Sequence, residues 1–354
     1  MSRRADLRFL ALTALGLAVF PFVFRLIGGY PGLATQIAIV SIASIGFNLL
    51  LGYAGMLSYG QAMFYGGGGY AAAILLIRLL PHHPSVWAAI VVPAILMGIV
   101  ALLIGALTVR LYGIYFALLT LAFAQMIFFI VEQAKDWTGG DDGLQSFPTA
   151  VLDCPFGPWT IDLHAALPAF NLGPLGDLSD VKLWYVFAAV ILLAVIFFVR
   201  VLNRSQFGEV LEAIRENEER SVFVGFNAAA YRLAAFGIAG TLTGLSGALR
   251  ALYDGTVAVA SLGVDRSGSF VIYTVVGGVQ TLLGPVVGTG LIMWLENVLS
   301  AKTAAWQLIE GLIFVGVIVF LPSGIVGTIL NRRRATRKLL KESVALPPVA
   351  GLSA

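Results

Sequence analysis

Long apolar runs, separated by short polar or glycine-rich breaks, fill most of the 354-residue chain. A helix crosses a bilayer core of roughly 30 Å with about 20 apolar residues, and ten runs can be distinguished. The predicted spans lie at about residues 9–27, 33–53, 66–80, 87–107, 111–131, 183–199, 231–252, 269–280, 283–300 and 306–321. The runs at 66–80 and 269–280 are short and rich in glycine, so we expect broken or re-entrant helices there. The pattern predicts an all-α polytopic membrane protein of about ten transmembrane helices.

Composition agrees with this class and excludes a transmembrane β-barrel. Hydrophobic residues make up 59% of the chain and charged residues 12%, whereas soluble domains have about 25% charged residues. Barrel strands alternate apolar and polar positions, but runs such as residues 188–199 are apolar throughout. The single cysteine excludes an internal disulfide bond.

The distribution of Lys and Arg predicts the orientation, because positive residues near span ends are kept on the cytoplasmic side. Basic residues at positions 3, 4 and 8 and at 332–341 predict that both termini are cytoplasmic. Segment 132–182 carries eight acidic residues against two lysines, so we expect an external loop. Residues 1–330 are predicted to form one transmembrane domain, and residues 331–354 a basic cytoplasmic tail.

Five predicted spans precede the external loop and five follow it. Two similar halves with an odd number of spans must lie in opposite orientations, as in the inverted repeats of many transporters. Glycine-rich interruptions at residues 52–70 and 275–290 occupy corresponding positions, although no residue-by-residue match connects them. A 5+5 inverted repeat is therefore a hypothesis for this topology.

Residues 205–227 interrupt the apolar pattern with seven charged residues between positions 209 and 220. One apolar stripe at helical spacing is formed by Phe207, Val210, Leu211 and Ile214. The stripe predicts a short amphipathic helix, and Gly208 and Gly225 allow sharp turns on either side of it. Five glutamates against two arginines disfavour binding to anionic lipid and favour a protein partner. A solvated loop helix without a partner is the alternative.

Polar and glycine positions inside the predicted spans indicate a candidate polar passage. They are Ser58, Tyr59, Gln61, Gly67, Gly68, Tyr115, Thr120 and Gln125. Irregular backbone occurs at membrane depth where it lines a cavity or is buried in protein. The alternative is that the glycines permit close packing and the polar side chains bond between helices. In the run at 231–252, Gly240 and Gly244 have the spacing of a packing motif, and close packing is favoured there.

Sequence motifs of several enzyme classes are absent. The chain has no GxxxxGK[ST] phosphate loop, no HExxH and no GxSxG, so phosphate-loop ATP hydrolysis, zinc-protease and serine-hydrolase chemistry lack their residues. A membrane-embedded enzyme is therefore disfavoured. Glu296, Glu310 and Asp265 leave another class open, a transporter coupled to ions or protons through carboxylates.

Four blocks carry a resemblance to a known family. They are NLLLGYAGMLSYGQAMFYGGGGYAAA, RLYGIYFALLTLAFAQ, TGGDDGL at 138–144, and FGEVLEAIRENEERSVFVGFN with the downstream GGVQTLLGPVVG. From about residue 30 to residue 328, the chain resembles the permease subunits of bacterial ABC importers for branched-chain amino acids, of the LivM type. Met56 and Tyr59 stand where that family more often has Gln and Leu, and Glu209 stands where Arg is common.

The resemblance implies that residues 202–230 are a cytoplasmic coupling loop that docks into a separate ATPase. The implied coupling residues are Phe207, Gly208, Leu211, Ile214, Arg215, Glu216, Asn217 and Gly225. It also implies a heterodimer with a sister permease, two ATPase subunits and a periplasmic solute-binding protein in the bacterial inner membrane. ATP and Mg would bind to the ATPase subunits, so we expect a transport subunit without a cofactor, enzymatic activity or nucleic-acid partner of its own.

The implied function is the import of branched-chain or related hydrophobic amino acids by alternating access. Urea, amides and aromatic acids are alternative substrates, because related permeases handle them, and an ion-coupled secondary transporter is the alternative of a different class. An amino-acid carboxylate is expected at the N-terminal ends of half-helices formed at the glycine-rich breaks.

Overall fold

The computed structural model of the protein describes residues 3–26, 29–79, 85–145, 151–153, 160–162, 183–303 and 305–332. The first helices are α1 (Arg3–Leu26), α2 (Pro31–Asn48), α3 (Gln61–Ile74), α4 (Val86–Thr108), α5 (Ile114–Gln133) and α6 (Lys135–Thr138). The later helices are α7 (Leu183–Asn203), α8 (Gln206–Glu216), α9 (Glu218–Phe223), α10 (Ala228–Asp254), α11 (Val264–Gly277), α12 (Gly284–Ser300) and α13 (Trp306–Phe320). Segments of π-helix extend α2 to Ala54 and α3 to Leu79, and residues 324–332 are helical after α13. The described strands pair as β1 (Leu144–Gln145) with β4 (Thr256–Val257) and β2 (Val151–Asp153) with β3 (Thr160–Asp162).

The helices follow the apolar runs of the sequence. Each of the ten predicted runs overlaps one helix. Six described segments are long and apolar enough to cross a membrane: Pro31–Ala54, Gln61–Leu79, Val86–Thr108, Ile114–Gln133, Leu183–Asn203 and Trp306–Arg332. The prediction of a helical, multi-pass membrane protein is confirmed, whereas the ten spans, the 5+5 repeat and the side of each terminus stay predictions.

The predicted break at the Gly66–Gly69 run is wrong, because α3 continues through it without interruption. The glycines allow close contact with neighbouring helices: a Cβ atom on Gly68 would overlap the carbonyl oxygen of Gly244 in α10. Such contacts hold a glycine-rich segment helical despite its low propensity. The non-helical backbone lies earlier, at residues 55–60, where Gly55 has a φ of 71°. We call residues 55–60 the α2–α3 link.

Helix α11 is short and is followed by a break, as predicted for the glycine-rich run at 269–280. Its 14 residues extend only about 21 Å, less than a full crossing. The helix lies a few residues earlier than the predicted run. Gly278, with a φ of 123°, follows its last residue, and the chain stays non-helical until α12 begins.

Helix α10 is central to the bundle and packs along α2, α3 and α4. A Cβ atom on Gly240 or Gly244 would press against α4, and one on Gly247 would overlap the backbone of α3. The hydroxyl of Ser246 donates to the carbonyl of Ile39 in α2 at 2.7 Å. The close packing predicted for Gly240 and Gly244 is confirmed.

Contacts at the two ends of α10 define two ends of the bundle. With 27 residues, α10 is about 40 Å long. Before its first residue lie α8 and α9, and after its last residue β4 pairs with β1, which follows α5 and α6. We call these the α8 end and the β1 end. The predicted cytoplasmic loop 202–230 and the described start of the predicted external loop 132–182 thus lie at opposite ends, as the predicted topology requires. Much of 132–182 and nearly all of tail 331–354 lie outside the described residues, and the division at residue 330 stays a prediction.

Candidate functional site

The α2–α3 link is non-helical backbone that is largely buried inside the bundle. Met56, Ser58 and Gly60 are all buried. The Tyr59 N–H donates to the hydroxyl of Thr120 in α5 at 3.2 Å, and the Gly60 N–H donates to the Ser58 hydroxyl at 3.2 Å. Irregular backbone at membrane depth requires such partners or a cavity beside it.

Three helices meet where the link enters α3. The Ala62 N–H donates to the hydroxyl of Ser267 in α11 at 2.9 Å, and the Thr243 hydroxyl of α10 donates to Gln61 Oε1 at 2.9 Å. Within the part of the chain that the structure describes, the buried Gln61 Nε2 has no hydrogen-bond partner. We call Gln61, Ala62, Thr243 and Ser267 the polar junction.

A cavity of about 620 Å³ lies beside the link, and we call it the link cavity. Its wall includes Met56, Leu57, Tyr59, Phe116, Leu118 and Leu121. Tyr112 and Arg232 also line it, and Val264 lines it at the start of α11. Because most of the wall is apolar, the cavity favours the apolar part of a small solute.

A second crevice, of about 660 Å³, lies between α1, α2, α7 and α12. Its lining is almost wholly apolar and includes the exposed side chains of Leu12 and Leu291. An apolar groove on the outer surface of a membrane bundle suits lipid chains better than a polar solute.

The structure brings together some of the predicted passage residues and separates the others. Those at the link and the polar junction are Ser58, Tyr59, Gln61 and Thr120. Gly67 and Gly68 instead pack against α4 and α10 respectively. On α5, Tyr115 is 69% exposed and Gln125 is half-buried.

Sequence reasoning missed Thr243, Ser267 and Arg232 at this site. Thr243 and Ser267 lie on helices that the sequence marks chiefly by their glycines, and both reach the start of α3 from more than a hundred residues away. A small hydroxyl on an otherwise apolar helix is the signal that could have indicated them. Arg232 lies next to a span boundary, where a basic residue is usually an interface residue.

The apolar stripe of helix α8 packs against the bundle. Leu211 and Ile214 are 0% and 2% exposed, and Phe207 stacks on Tyr231 of α10 with ring centroids 5.5 Å apart. Gly208 permits close approach, because a Cβ atom there would overlap the backbone at the end of α7. The opposite face stays exposed and carries Glu209, Glu212 and Glu216. The predicted amphipathic helix is confirmed.

Arg215 connects α8 to two non-helical parts of the bundle. Its guanidinium donates to the carbonyl of Gly52 near the end of α2. It also lies beside Gln280, between α11 and α12, whose amide oxygen accepts from it in the orientation that satisfies both groups. Gln280 has a φ of 67°, and its N–H donates to Asn48 Oδ1 at 3.2 Å. Movement of α8 would therefore act on α2 and on the α11–α12 connection.

Glu218, the first residue of α9, forms a second connection. Arg232 of α10 donates to both of its carboxylate oxygens, at 3.1 and 2.5 Å, and the Tyr112 hydroxyl donates to it at 3.0 Å. The Arg232 guanidinium lies 4.8 Å from the centroid of the Tyr112 ring. A bidentate pair fixes geometry as well as charge, so α9 is joined to the wall of the link cavity.

The remaining implied coupling residues shape the segment around α9. Asn217 caps the helix, because its Oδ1 accepts from the Arg220 N–H at 2.9 Å, and Gly225 has a φ of 102° after the helix end. Between them, Phe223 is 90% exposed and Val224 72% exposed. We call residues 222–224 the α9 tip, an exposed apolar feature that sequence reasoning did not single out.

Together, the fold and the site define a multi-pass helical membrane protein with a mostly apolar cavity joined to an amphipathic segment at one end. The chain belongs to the family described as branched-chain amino acid transport system / permease component, which matches residues 30–321. The resemblance found in the sequence blocks is thereby confirmed.

Two curated relatives carry the name high-affinity branched-chain amino acid transport system permease protein LivM. The chain is 25% identical over 320 residues to the protein from Salmonella typhimurium strain LT2, covering 89% of this chain and 74% of that protein. It is 25% identical over 326 residues to the protein from Escherichia coli strain K12, with the same 89% and 74% coverage. No solved structure matches the chain.

Proposed function

We propose that this chain is the membrane-spanning permease subunit of a bacterial ABC importer for branched-chain or related hydrophobic amino acids. Its family and the names of its relatives support a role in such transport. The observation that carries the proposal is the link cavity, about 620 Å³ in volume and mostly apolar, beside buried non-helical backbone. Cavities of this size commonly hold small molecules.

The segment of α8 and α9 is proposed to dock on one of two ATPase subunits, which would bind ATP and Mg. Its exposed α9 tip lies beside acidic positions such as Glu216 and Glu219. An apolar anchor with a charged rim is the usual composition of a protein interface. Movement of the segment would reach the link through Arg215 and the cavity wall through Glu218, and alternating access would follow.

The other subunits and the topology belong to the same proposal. A sister permease would cover the face of α5 that carries the exposed Tyr115 and the half-buried Gln125, since polar side chains in a span are costly against lipid. A periplasmic binding protein would deliver solute at the β1 end. The chain would cross the bacterial inner membrane ten times, with both termini and residues 202–230 cytoplasmic and residues 132–182 external.

The apolar wall favours hydrophobic amino acids over urea or amides. Among the described residues that line the link cavity, the charged one is Arg232, and Glu218 neutralises it. Aromatic acids are an alternative substrate of the same cavity. Uptake of radiolabelled leucine, urea and an aromatic acid by the reconstituted importer distinguishes these cases.

The decisive experiment compares driving forces in proteoliposomes. We expect leucine to accumulate only when the sister permease, the ATPase subunits, the binding protein and ATP are all present. The second candidate, an ion-coupled transporter, is favoured by the buried Glu310 and by Glu296, which accepts from the Tyr273 hydroxyl at 2.9 Å. Accumulation driven by a proton gradient without ATPase subunits would establish that candidate instead.

A further inference from the structure

A polar cavity of about 440 Å³ lies at the β1 end, apart from the link cavity. The residues with charged or hydroxyl groups in its lining include Tyr65, Arg250, Asp254, Asp265, Arg266 and Ser269. Smaller apolar residues complete it, among them Ala251, Val257 and Ala258. We call it the outer cavity, in keeping with the proposed topology.

The floor of the outer cavity lies deep in the bundle. After α10 ends, β4 packs against α3 beside Gly69, and Leu262 packs beside Gly66. Ser267, in the first turn of α11, then reaches the start of α3. The chain therefore descends along α3 for about two turns, and α11 begins below the β1 end of the bundle.

Arg266 presents unused hydrogen-bond donors at this floor. Its guanidinium lies 5.0 Å from the centroid of the Tyr65 ring and donates to the Tyr65 hydroxyl at 3.4 Å. Among the described residues, no carboxylate oxygen lies within 4.0 Å of a guanidinium nitrogen of Arg266, the distance that defines an ion pair. A guanidinium has five N–H donors, and in a low-dielectric site they favour an anionic partner.

Groups of the opposite charge lie in the same lining. Asp265 precedes Arg266 and is exposed. On α10, Arg250 and Asp254 pair with each other, so their charges largely cancel. Among the described residues, the cavity thus offers a guanidinium without a direct ion pair, an exposed carboxylate and a small apolar surface, which together match an amino-acid zwitterion.

The first turn of α11 also lies between the two cavities. Val264 lines the link cavity, and the next two residues line the outer cavity. A solute bound in the outer cavity is therefore separated from the link cavity by this one turn. A shift of α11, which Arg215 contacts through Gln280, would change that separation.

We propose that the outer cavity is a binding site for the zwitterionic end of an amino acid on its way into the permease. Arg266 receives the carboxylate in a bidentate contact, Asp265 receives the ammonium group, and an aliphatic side chain lies against Val257 and Ala258. This assignment rests on the proposed import function and adds a specific recognition site to it.

The test uses photoreactive leucine and the assembled importer without its binding protein, so that the binding protein does not select the ligand. We expect labelling of peptides within residues 256–269, removed by excess leucine but not by 4-methylpentanoate, which lacks the ammonium group, or by isoamylamine, which lacks the carboxylate. Equal competition by all three compounds, or labelling elsewhere only, would overturn the assignment.

Variants in the complete importer give a second readout. Arg266→Gln and Asp265→Asn are each expected to raise the KM for leucine about tenfold, as loss of a charged hydrogen bond predicts, and to weaken labelling. Arg78→Gln is the control, because Arg78 lies at the same end, over the Trp137 ring at 4.3 Å, but outside the cavity. If Arg266→Gln fails to assemble, Asp265→Asn decides, since its exposed carboxylate supports no packing.

The outcomes separate this assignment from the proposed function. Normal KM and labelling in both variants, in an importer that takes up leucine, would overturn the outer site and leave the import function standing. A wild-type importer that takes up no leucine would overturn both.

Discussion

Arg232 meets two requirements at once, because it lines the link cavity and neutralises Glu218. It is 8% exposed, so its charge is largely removed from water and depends on that partner. Removing one member of such a pair leaves a charge without compensation, which destabilises more than the pair itself stabilises. The pair therefore also limits how far α9 can move from α10 without a loss of stability.

We predict that Glu218→Gln destabilises the protein by about 1.5–3 kcal/mol, the range for a hydrogen bond to a charged group, and slows uptake. The reversed pair, Glu218→Arg with Arg232→Glu, should recover part of both. Glu219→Gln, an exposed neighbour on the same helix, is the control. Thermal unfolding of the purified importer and leucine uptake are measured, and a Glu218→Gln variant no different from the control would refute the role of the pair.

We predict that Arg215→Glu lowers ATP-driven uptake by about tenfold or more, equivalent to at least one hydrogen bond to a charged group. The variant loses the contacts with Gly52 and Gln280 but keeps the apolar stripe of α8, so insertion and assembly should persist. Arg220→Glu makes the same charge change at an exposed position of α9. Equal loss of uptake in both variants would point to a general charge effect instead.

For individual residues of α8, the sequence predicted which apolar side chains form the buried stripe, but it did not predict the partners of the polar side chains. Phe207, Leu211 and Ile214 follow helical spacing, which is a local property. The partner of Arg215 is a backbone carbonyl distant in sequence, and no local pattern specifies such a contact. The orphan Gln61 amide nitrogen likewise depends on how three helices meet.

Helix α3 forms although its glycine-rich composition disfavours a helix, because it packs against α10. Four consecutive glycines weaken a helix, yet α3 is continuous because it packs tightly on α10. The interruption occurs instead at the link, where the Tyr59 N–H donates to Thr120 of α5. Just after the link, the Ala62 N–H donates to Ser267 of α11, and both bonds are long-range. Periodicity identified both helices but could not decide which glycine-containing segment would break.

We predict that Gly68→Ala destabilises the protein by about 1–3 kcal/mol, as overpacking does, because its Cβ atom meets backbone of α10. Gly67→Ala should have a smaller effect, since its Cβ atom meets the flexible thioether of Met97. Gly311→Ala, with open space around it, is the neutral control. The thermal unfolding midpoints of the three variants, measured in the same detergent, give their order of stability. A Gly68→Ala variant as stable as Gly311→Ala would contradict the packing assignment.

We predict that Phe223→Asp abolishes binding of the ATPase subunits while leaving the permease folded. The side chain is 90% exposed, so its replacement removes no internal contact, but it removes the apolar anchor of the proposed interface. The control, Phe320→Asp, makes the same change at an 82% exposed phenylalanine that ends α13 and is not part of the α9 tip. Pull-down of the ATPase subunits by each variant is the measurement, and retention by Phe223→Asp would exclude the α9 tip as the docking point.

Some features of the whole molecule can be predicted from the sequence, whereas others depend on how the helices pack. The number and order of helices are readable from apolar runs, and the charge of the loops separates two sides before any contact is known. The cavities are not readable in this way, because each is enclosed by segments from both halves of the chain. Their positions on either side of the first turn of α11 emerge only when the helices pack.

The two ends of the bundle make the topology testable with single cysteines. In a Cys154→Ser background, Gln145→Cys places a thiol in β1, and Glu219→Cys places one in α9; both native side chains are exposed. A membrane-impermeant maleimide should label Gln145→Cys in intact cells and Glu219→Cys only after permeabilisation, because β1 is proposed to be external and α9 cytoplasmic. The reverse pattern would place α9 away from any cytoplasmic ATPase, and the proposed coupling could not operate.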